Sequence, residues 1–486
     1  MKVRRSFKAV ACVAALAAFT AGALSAVPAG AAKSDGDGSG GKAVAHFAGA
    51  REVKTAKVRA HAPDAKFHPI GLNGSEPTLG LTDDGSVFYT AFQSNTRIEV
   101  VRSSDEGETW DIVSPQFAGA RNAQLLSLDP YLFVDKRTDR IFTIDLTVAC
   151  AYLSYTDDQG ESWVTNPLAC GRPVNDHQTL FAGPPAVSPT PVYPSVVYYC
   201  WNDIASSSCS KSLDGGITFS PTGSPAYPSY QEGTDRGGVA GQSVPGMCGG
   251  LHGHGHVGPD GTVYIPRGWC GQPWLALSHD EGLTWERVQV ANIGIEGHEA
   301  GVTTDDKGNI YYTWVGEQDR LPYLAISKDG GTNWSKPMMI GPPGLTESNI
   351  PNIDAGAKGK VAIVYMGSEN APGPPFQDPP PCISVLPCRF IPDGYEDVTW
   401  NGYITMTDNA LSKRPMFYTG SINDKSEPLV LMDCGPGRCQ DVLDFIDVVV
   451  GPDGIPWGAF VDSNRNDATI VGNGVVGRLV GGPSLR

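Results

Sequence analysis

Past residue 26 the sequence has no apolar run approaching the ~20 residues that a membrane-spanning helix needs, so no later segment is expected to insert in a bilayer that way. Basic residues are scarce: 36 Lys and Arg stand against 52 Asp and Glu, for a formal charge of −16. A field of that sign disfavours nucleic acid and anionic membranes as partners. Long polyanionic substrates are disfavoured too, unless a local basic pocket overrides the global field. Cys-x-x-Cys does not occur among the 11 cysteines, which removes the commonest support for a cysteine metal cluster.

What the chain does have begins with a basic start (Lys2, Arg4, Arg5, Lys8), an apolar run from Ala9 to Ala26, and small residues up to Ala32. That pattern is expected to be a secretory signal peptide over 1–32. Its loss would take four basic residues and move the charge from −16 to −20. Residues 33–65 are rich in Gly, Ser, Asp, Lys and Ala without periodicity and are expected to form a disordered tether. The remainder, 66–486, is expected to be one domain of a secreted, extracellular monomer. Without Cys12, ten cysteines remain for an oxidising compartment, and they fall into neighbours. The expected disulfides are Cys150–Cys170, Cys200–Cys209, Cys248–Cys270, Cys382–Cys388 and Cys434–Cys439.

The strongest signal is a repeat. Ser103–Trp110, Thr156–Trp163, Ser212–Phe219, Ser278–Trp285 and Ser327–Trp334 all read [Ser/Thr]-x-Asp-x-Gly-x-x-[Trp/Phe]. Their aspartates, Asp105, Asp158, Asp214, Asp280 and Asp329, are spaced by 53, 56, 66 and 49 residues, a period that marks a repeat architecture. Each residue type suits a tight strand-to-strand turn. The carboxylate accepts N–H groups of its own turn, the hydroxyl does so more weakly, and Gly takes a positive φ. The aromatic starts the next strand and buries a large ring.

This motif is the Asp box, and five copies in register resemble the sialidase-like (BNR-repeat) β-propellers over roughly Glu76 to the C-terminus. The resemblance implies an all-β fold with the boxes on the rim away from the substrate mouth, where their aspartates are structural. It also implies a glycan-cleaving activity of glycoside hydrolase, exo-sialidase-like type. The Phe/Tyr-Arg-Ile-Pro motif of sialidases has no counterpart here, because the first unit opens Glu76-Pro77-Thr78-Leu79. No arginine triad or nucleophilic tyrosine is therefore carried over.

Seven strand–turn–strand units follow one another, opening at Glu76, Asp129, Asp176, His254, His298, Pro351 and Asp444, several with Asp-Gly turns. Seven blades are expected, with six as the alternative, and the segment before Glu76 is placed to complete the last blade and close the ring. Insertions at Pro221–Gly250 and Gly367–Trp400 are expected to shape the mouth. The unit openings gather unusual chemistry, with five of the six histidines that follow Glu76 among them.

One reading of that ring is catalytic, with a carboxylate from Glu299, Asp129 or Asp176 acting with His177 or His298. Arg267, Trp269, Glu76, Asn352 and Asp444 would then contact substrate. A second is a divalent metal held by His254, His256 and His298. A third is a solvated channel whose polar groups bond only to one another and to water. Trp201, Trp269, Trp274, Trp314 and Trp400 are sugar platforms or blade packing. The expected partner is a glycan or polysaccharide. A non-catalytic propeller binding glycan or protein through its mouth loops is the alternative.

Overall fold

The computed structural model describes residues 54–55, 57–59, 64–93, 97–115, 129–146, 151–168, 175–190, 192–202, 206–228, 251–296, 299–373, 394–431, 434–435, 438–439, 442–463 and 472–486. Every secondary-structure element among them is β, with no helix and hence none long and apolar enough to cross a membrane. Alternating apolar residues and Gly-rich turns build antiparallel four-stranded sheets, and seven such blades form a propeller. Blade 4 shows the pattern: His256–Val257 innermost, then Val263–Trp269, Gln272–Ser278 and Glu286–Gln289 outward. The other innermost strands are Leu79–Leu81, Pro130–Asp135, Asp176–Gly183, Gly301–Thr304, Glu347–Ala355 and Asp447–Val450, for blades 1, 2, 3, 5, 6 and 7.

Closure is made by the N-terminal strand. Asp64–Asn73 pairs antiparallel with Asn473–Val480 and becomes the outermost strand of blade 7. Strand content reaches into the segment expected to be a tether. Lys54–Thr55 adds in parallel to the outer edge of blade 5 at Met338–Met339, and Lys57–Arg59 to blade 6 at Met416–Tyr418. Paired edges of this kind are protected from adventitious strand addition.

The core lies between blades. Each of the seven blade-to-blade contacts has its own buried apolar cluster, such as Phe88, Leu132 and Ile141 between blades 1 and 2. Leu79, Tyr89, Trp457 and Val476 join blade 7 back to blade 1, which seals the ring. Trp201, Trp269, Trp274, Trp314 and Trp400 are each at most 5% exposed, so all five serve packing.

The Asp boxes sit between the third and fourth strands of blades 1 to 5, with the same bonds in each. In the first, Ser103 Oγ donates to Asp105 Oδ1 at 2.8 Å and accepts Gly107 N–H at 2.8 Å. Asp105 then accepts Thr109 N–H at 2.9 Å. The glycine lies at φ 89°, a conformation that a side chain resists. Blade 6 carries a degenerate version, with Asn409 in the aspartate's place accepting from Thr407 Oγ1 at 3.2 Å.

The fourth box also clamps blade 3. Buried Glu281 accepts the N–H groups of Ala186, Val187 and Ser188 at 3.0, 2.9 and 2.8 Å, and pairs with Lys211 Nζ at 2.7 Å. Of the expected disulfides, Cys200–Cys209 bridges adjacent strands of blade 3. Cys270 and Cys439 are each disulfide-bonded, and Cys434 faces Cys439 across a two-stranded hairpin. Cys150, Cys170, Cys248, Cys382 and Cys388 lie outside the described residues, as do 1–53.

Removing the Glu281 carboxylate strands an ammonium and three N–H groups, and losing one partner of a buried pair costs about 3–5 kcal/mol. Glu281→Ala is expected to lose that much in denaturant unfolding. A loss below ~1 kcal/mol would show that the clamp is dispensable.

Candidate functional site

Every innermost strand runs from the mouth toward the Asp-box face, so the residues just before or at its start are forced together around the axis. Three of these starts carry non-glycine residues in the left-handed region: Glu76 at φ 46°, His177 at 51° and Ile350 at 44°. In blades 3 and 6 the cause is visible. Between Asp176 and Thr179, and again between Asn349 and Asn352, one extra residue is inserted against the neighbouring strand. Such bulges re-aim side chains, and strain of this kind concentrates at functional sites.

The bulge in blade 3 turns His177 into the ring. Its Nε2 meets Glu299 Oε1 in an ion pair, with both side chains under 10% exposed. On its other side the backbone N–H of His177 donates to Asp129 Oδ2 at 3.1 Å. Its Nδ1 lies 3.0 Å from the His252 carbonyl, to which a protonated ring donates. The Gln178 side chain bonds to the Asp129 carbonyl and ties blade 3 to blade 2. Asp176 is exposed, Asp129 half-buried, and Glu76 and Asp444 are buried close enough to act on His177 electrostatically.

Three groups in and beside this cluster have displaced proton affinities. Burial alone would lower His177, but the Glu299 carboxylate, with Asp444 and Glu76, holds it up at about 10. The ring is an imidazolium at neutral pH. Asp129 is raised as well, which for a carboxylic acid favours the neutral form: burial, then the Asp176 charge, push it up to about 6, against the pull of His177. His252 is lowered to about 3 by burial and by the neighbouring His177 charge, and stays neutral.

The other expected site residues occupy different levels. His254 and Asn352 lie one layer further down the channel, where Asn352 Nδ2 is 3.0 Å from His254 Nδ1 and 3.0 Å from Asp447 Oδ1. His256 is lower still and accepts Thr304 N–H on Nε2 at 3.2 Å. Burial lowers it to about 4. His298 lies outside the described residues. Among the described residues no three His, Cys, Asp or Glu side chains gather as a metal cage. Arg267 lies between blades 3 and 4, only 2% exposed, donating to Ser207 Oγ at 3.0 Å under the Tyr227 ring. Trp269 packs against Tyr227 and Trp274 at ring-centroid distances of 5.4 Å each.

Sequence reasoning missed two features. Phe445, beside Asp444, packs edge-on against both His177 and His254, at 5.4 and 4.9 Å between centroids. Its place next to a singled-out aspartate was the available signal. Arg320 sits fully buried between Glu296 and Glu347, the latter at 2.8 Å, and Tyr395 donates to Glu347 at 2.7 Å. No repeated motif marks that cluster, which ties blade 5 to the innermost strand of blade 6.

No family model matches this sequence, and no curated protein does. Among solved structures, a Hadza microbial sialidase aligns at 17% identity and a TM-score of 0.40, over 60% of this chain and 63% of its own. An intramolecular trans-sialidase from Ruminococcus gnavus aligns at 14% and 0.38, over 84% and 95%. An α-L-arabinanase from Penicillium chrysogenum gives 14% and 0.36, over 76% and 100%. This chain thus spans less than two thirds of the first of these. The seven blades, five of them with an Asp box, are themselves consistent with the sialidase-like propeller superfamily that the repeats resemble.

The raised His177 pKa carries a sign. The stability it contributes is full below pH 6.5 and fades as pH climbs toward about 10. In an NMR titration the His177 ring is expected to stay protonated at pH 8, and Glu299→Gln to lower its midpoint. A wild-type midpoint near 6.5 would contradict the ion pair.

Proposed function

We propose that this chain is an exported glycoside hydrolase that cleaves a glycosidic bond at the channel mouth. The observation that supports this reading is the meeting of two carboxyl groups at one histidine, Glu299 at its ring and Asp129 at its backbone N–H, with their surroundings unlike. Asp129, half-buried and lifted to about 6, keeps its proton up to about that pH and serves as general acid to the leaving oxygen. Glu299, against the His177 imidazolium, acts as a carboxylate on the opposite side of the bond, as nucleophile or as base toward water. His177 positions Glu299. Asp176, exposed beside Asp129, takes sugar hydroxyls.

The substrate that suits this mouth is neutral. Glu76, Asp129, Asp176, Glu299 and Asp444 surround a single imidazolium, so a sugar carboxylate would meet repulsion rather than a clamp. The non-catalytic alternative draws less support, because the tryptophans that would form an aromatic binding surface are buried between blades.

The protein would be incubated with neutral and sialylated oligosaccharides and with plant and bacterial polysaccharides, and products read by mass spectrometry. Release of a neutral sugar is expected, with kcat/KM falling as pH rises through about 6 while Asp129 ionises. Asp129→Asn and Glu299→Gln are each expected to lose about 10²–10⁴-fold in turnover with folding intact by circular dichroism. No product from any glycan sinks the proposal, and free sialic acid as the sole product overturns the substrate assignment.

A further inference from the structure

One buried peptide reaches both partners of the mouth ion pair. His252 and Gly253 lie just ahead of the innermost strand of blade 4, and both are buried. The His252 carbonyl lies 3.0 Å from His177 Nδ1. Gly253 lies against the residue that follows Glu299. A methyl group at Gly253 would stand 2.0 Å from the Ala300 carbonyl oxygen, whereas ordinary contact begins at 3.4 Å. Only a hydrogen fits there. His177 of blade 3 and the Glu299–Ala300 backbone of blade 5 therefore meet on a single peptide of blade 4.

That peptide is fixed from behind. Gly253 N–H donates to the Pro266 carbonyl at 3.0 Å. A trans peptide unit directs its C=O opposite to its N–H, so this bond aims the His252 carbonyl at His177. The His252 N–H donates to Asn202 Oδ1 at 3.4 Å. The same oxygen accepts Ser207 Oγ at 2.8 Å, and Ser207 Oγ accepts Arg267 Nη1 at 3.0 Å. The His252 ring donates its Nδ1–H to the Gly253 carbonyl at 3.0 Å. His252, Asn202, Ser207 and Arg267 are each at most 2% exposed, and buried networks of satisfied groups are rigid. Arg267, packed between blades, thus ends a chain of bonds that begins at the mouth.

We propose that the His252–Gly253 peptide is a positioning element for the mouth chemistry: its carbonyl holds the His177 ring, and its glycine lets the Ala300 backbone close in so that Glu299 meets that ring. Being buried, the peptide acts through these two residues and not on substrate. Its consequence for turnover rests on the glycosidase reading, whereas its hold on the ion pair does not.

Gly253→Ala tests the close approach. The new methyl must drive the Ala300 carbonyl from 2.0 Å to at least 3.4 Å, and Glu299 retreats with it. Glu299, Asp444, Glu76 and Asp129, the carboxyl groups around His177, are chemically unchanged. A shift in the His177 midpoint therefore reports geometry. By NMR titration of the full chain that midpoint is expected to fall by about one pH unit or more. On a glycan that the wild type cleaves, kcat is expected to fall about 10²-fold with KM changed less than about threefold.

Gly356→Ala is the matched control. A methyl group there would stand 1.8 Å from the Leu485 carbonyl oxygen, beyond the far end of the innermost strand of blade 6. It is expected to cost stability and to leave the His177 midpoint and kcat unchanged. Asn202→Leu removes the acceptor of the His252 N–H at similar volume. It is expected to lower the midpoint in the same direction, which keeps the test decisive should Gly253→Ala not fold. An unmoved midpoint in either folded variant overturns the proposal, and so does an equal fall in Gly356→Ala. A chain that cleaves no glycan sinks the glycosidase reading alone, and the midpoints still decide the role of the peptide.

Discussion

The constraint from which the rest follows is closure of the ring. A propeller blade cannot bury both its faces alone, so each needs a neighbour on either side. Here the pairing of Asp64–Asn73 with Asn473–Val480 completes blade 7, and the cluster around Tyr89, Trp457 and Val476 joins it to blade 1. Once closed, seven innermost strands point the same way around one axis. Whatever residues precede those strands must share a small space. Here they include five carboxyl groups and the imidazole of His177, and that crowding separates the proton affinities of His177 and Asp129.

The same geometry stacks the channel in layers. Along one innermost strand the side chains that face the axis are two residues apart, so each step of two descends one level. His177, Asp129 and Glu299 form the top level, His254, Asn352 and Asp447 the next, and His256 with Asp354 a lower one. Phe445 separates the first from the second. The mouth is acidic and strained, whereas at the lower levels Asp447 and Asp354 are satisfied by Asn352 and Lys136. Two chemically different spaces thus come from one set of strands.

Much of the fold was legible because its signals are local. An Asp box is satisfied within seven residues, from the Ser103 hydroxyl to Thr109, so its sequence alone specifies the turn. The blade count and the closing role of the segment before Glu76 followed from the period. The polar character of the mouth was legible for the same reason, since unit openings mark strand starts. What could not be read was level and facing. His254 and His256 were grouped with His298 as a metal set, yet the two described rings bond to Asn352 and Thr304 in successive layers. Arg267 and Trp269 carry functional-looking side chains, but they lie on a second strand, packed between blades. The Arg320–Glu347–Tyr395 cluster depends on a turn and an insertion without any repeated pattern, so no periodic argument could reach it.

The account rests on the mouth cluster being a reaction centre and not merely a polar seam between blades. The most direct measurement is a crystal structure of Glu299→Gln soaked with an oligosaccharide that the wild type cleaves. The account predicts a sugar ring lodged between Asp129 and residue 299, with its anomeric carbon about 3–3.5 Å from the introduced amide or from a water bound to it. A sugar bound elsewhere on the propeller, with the His177 ring still sealed from it, would contradict the account.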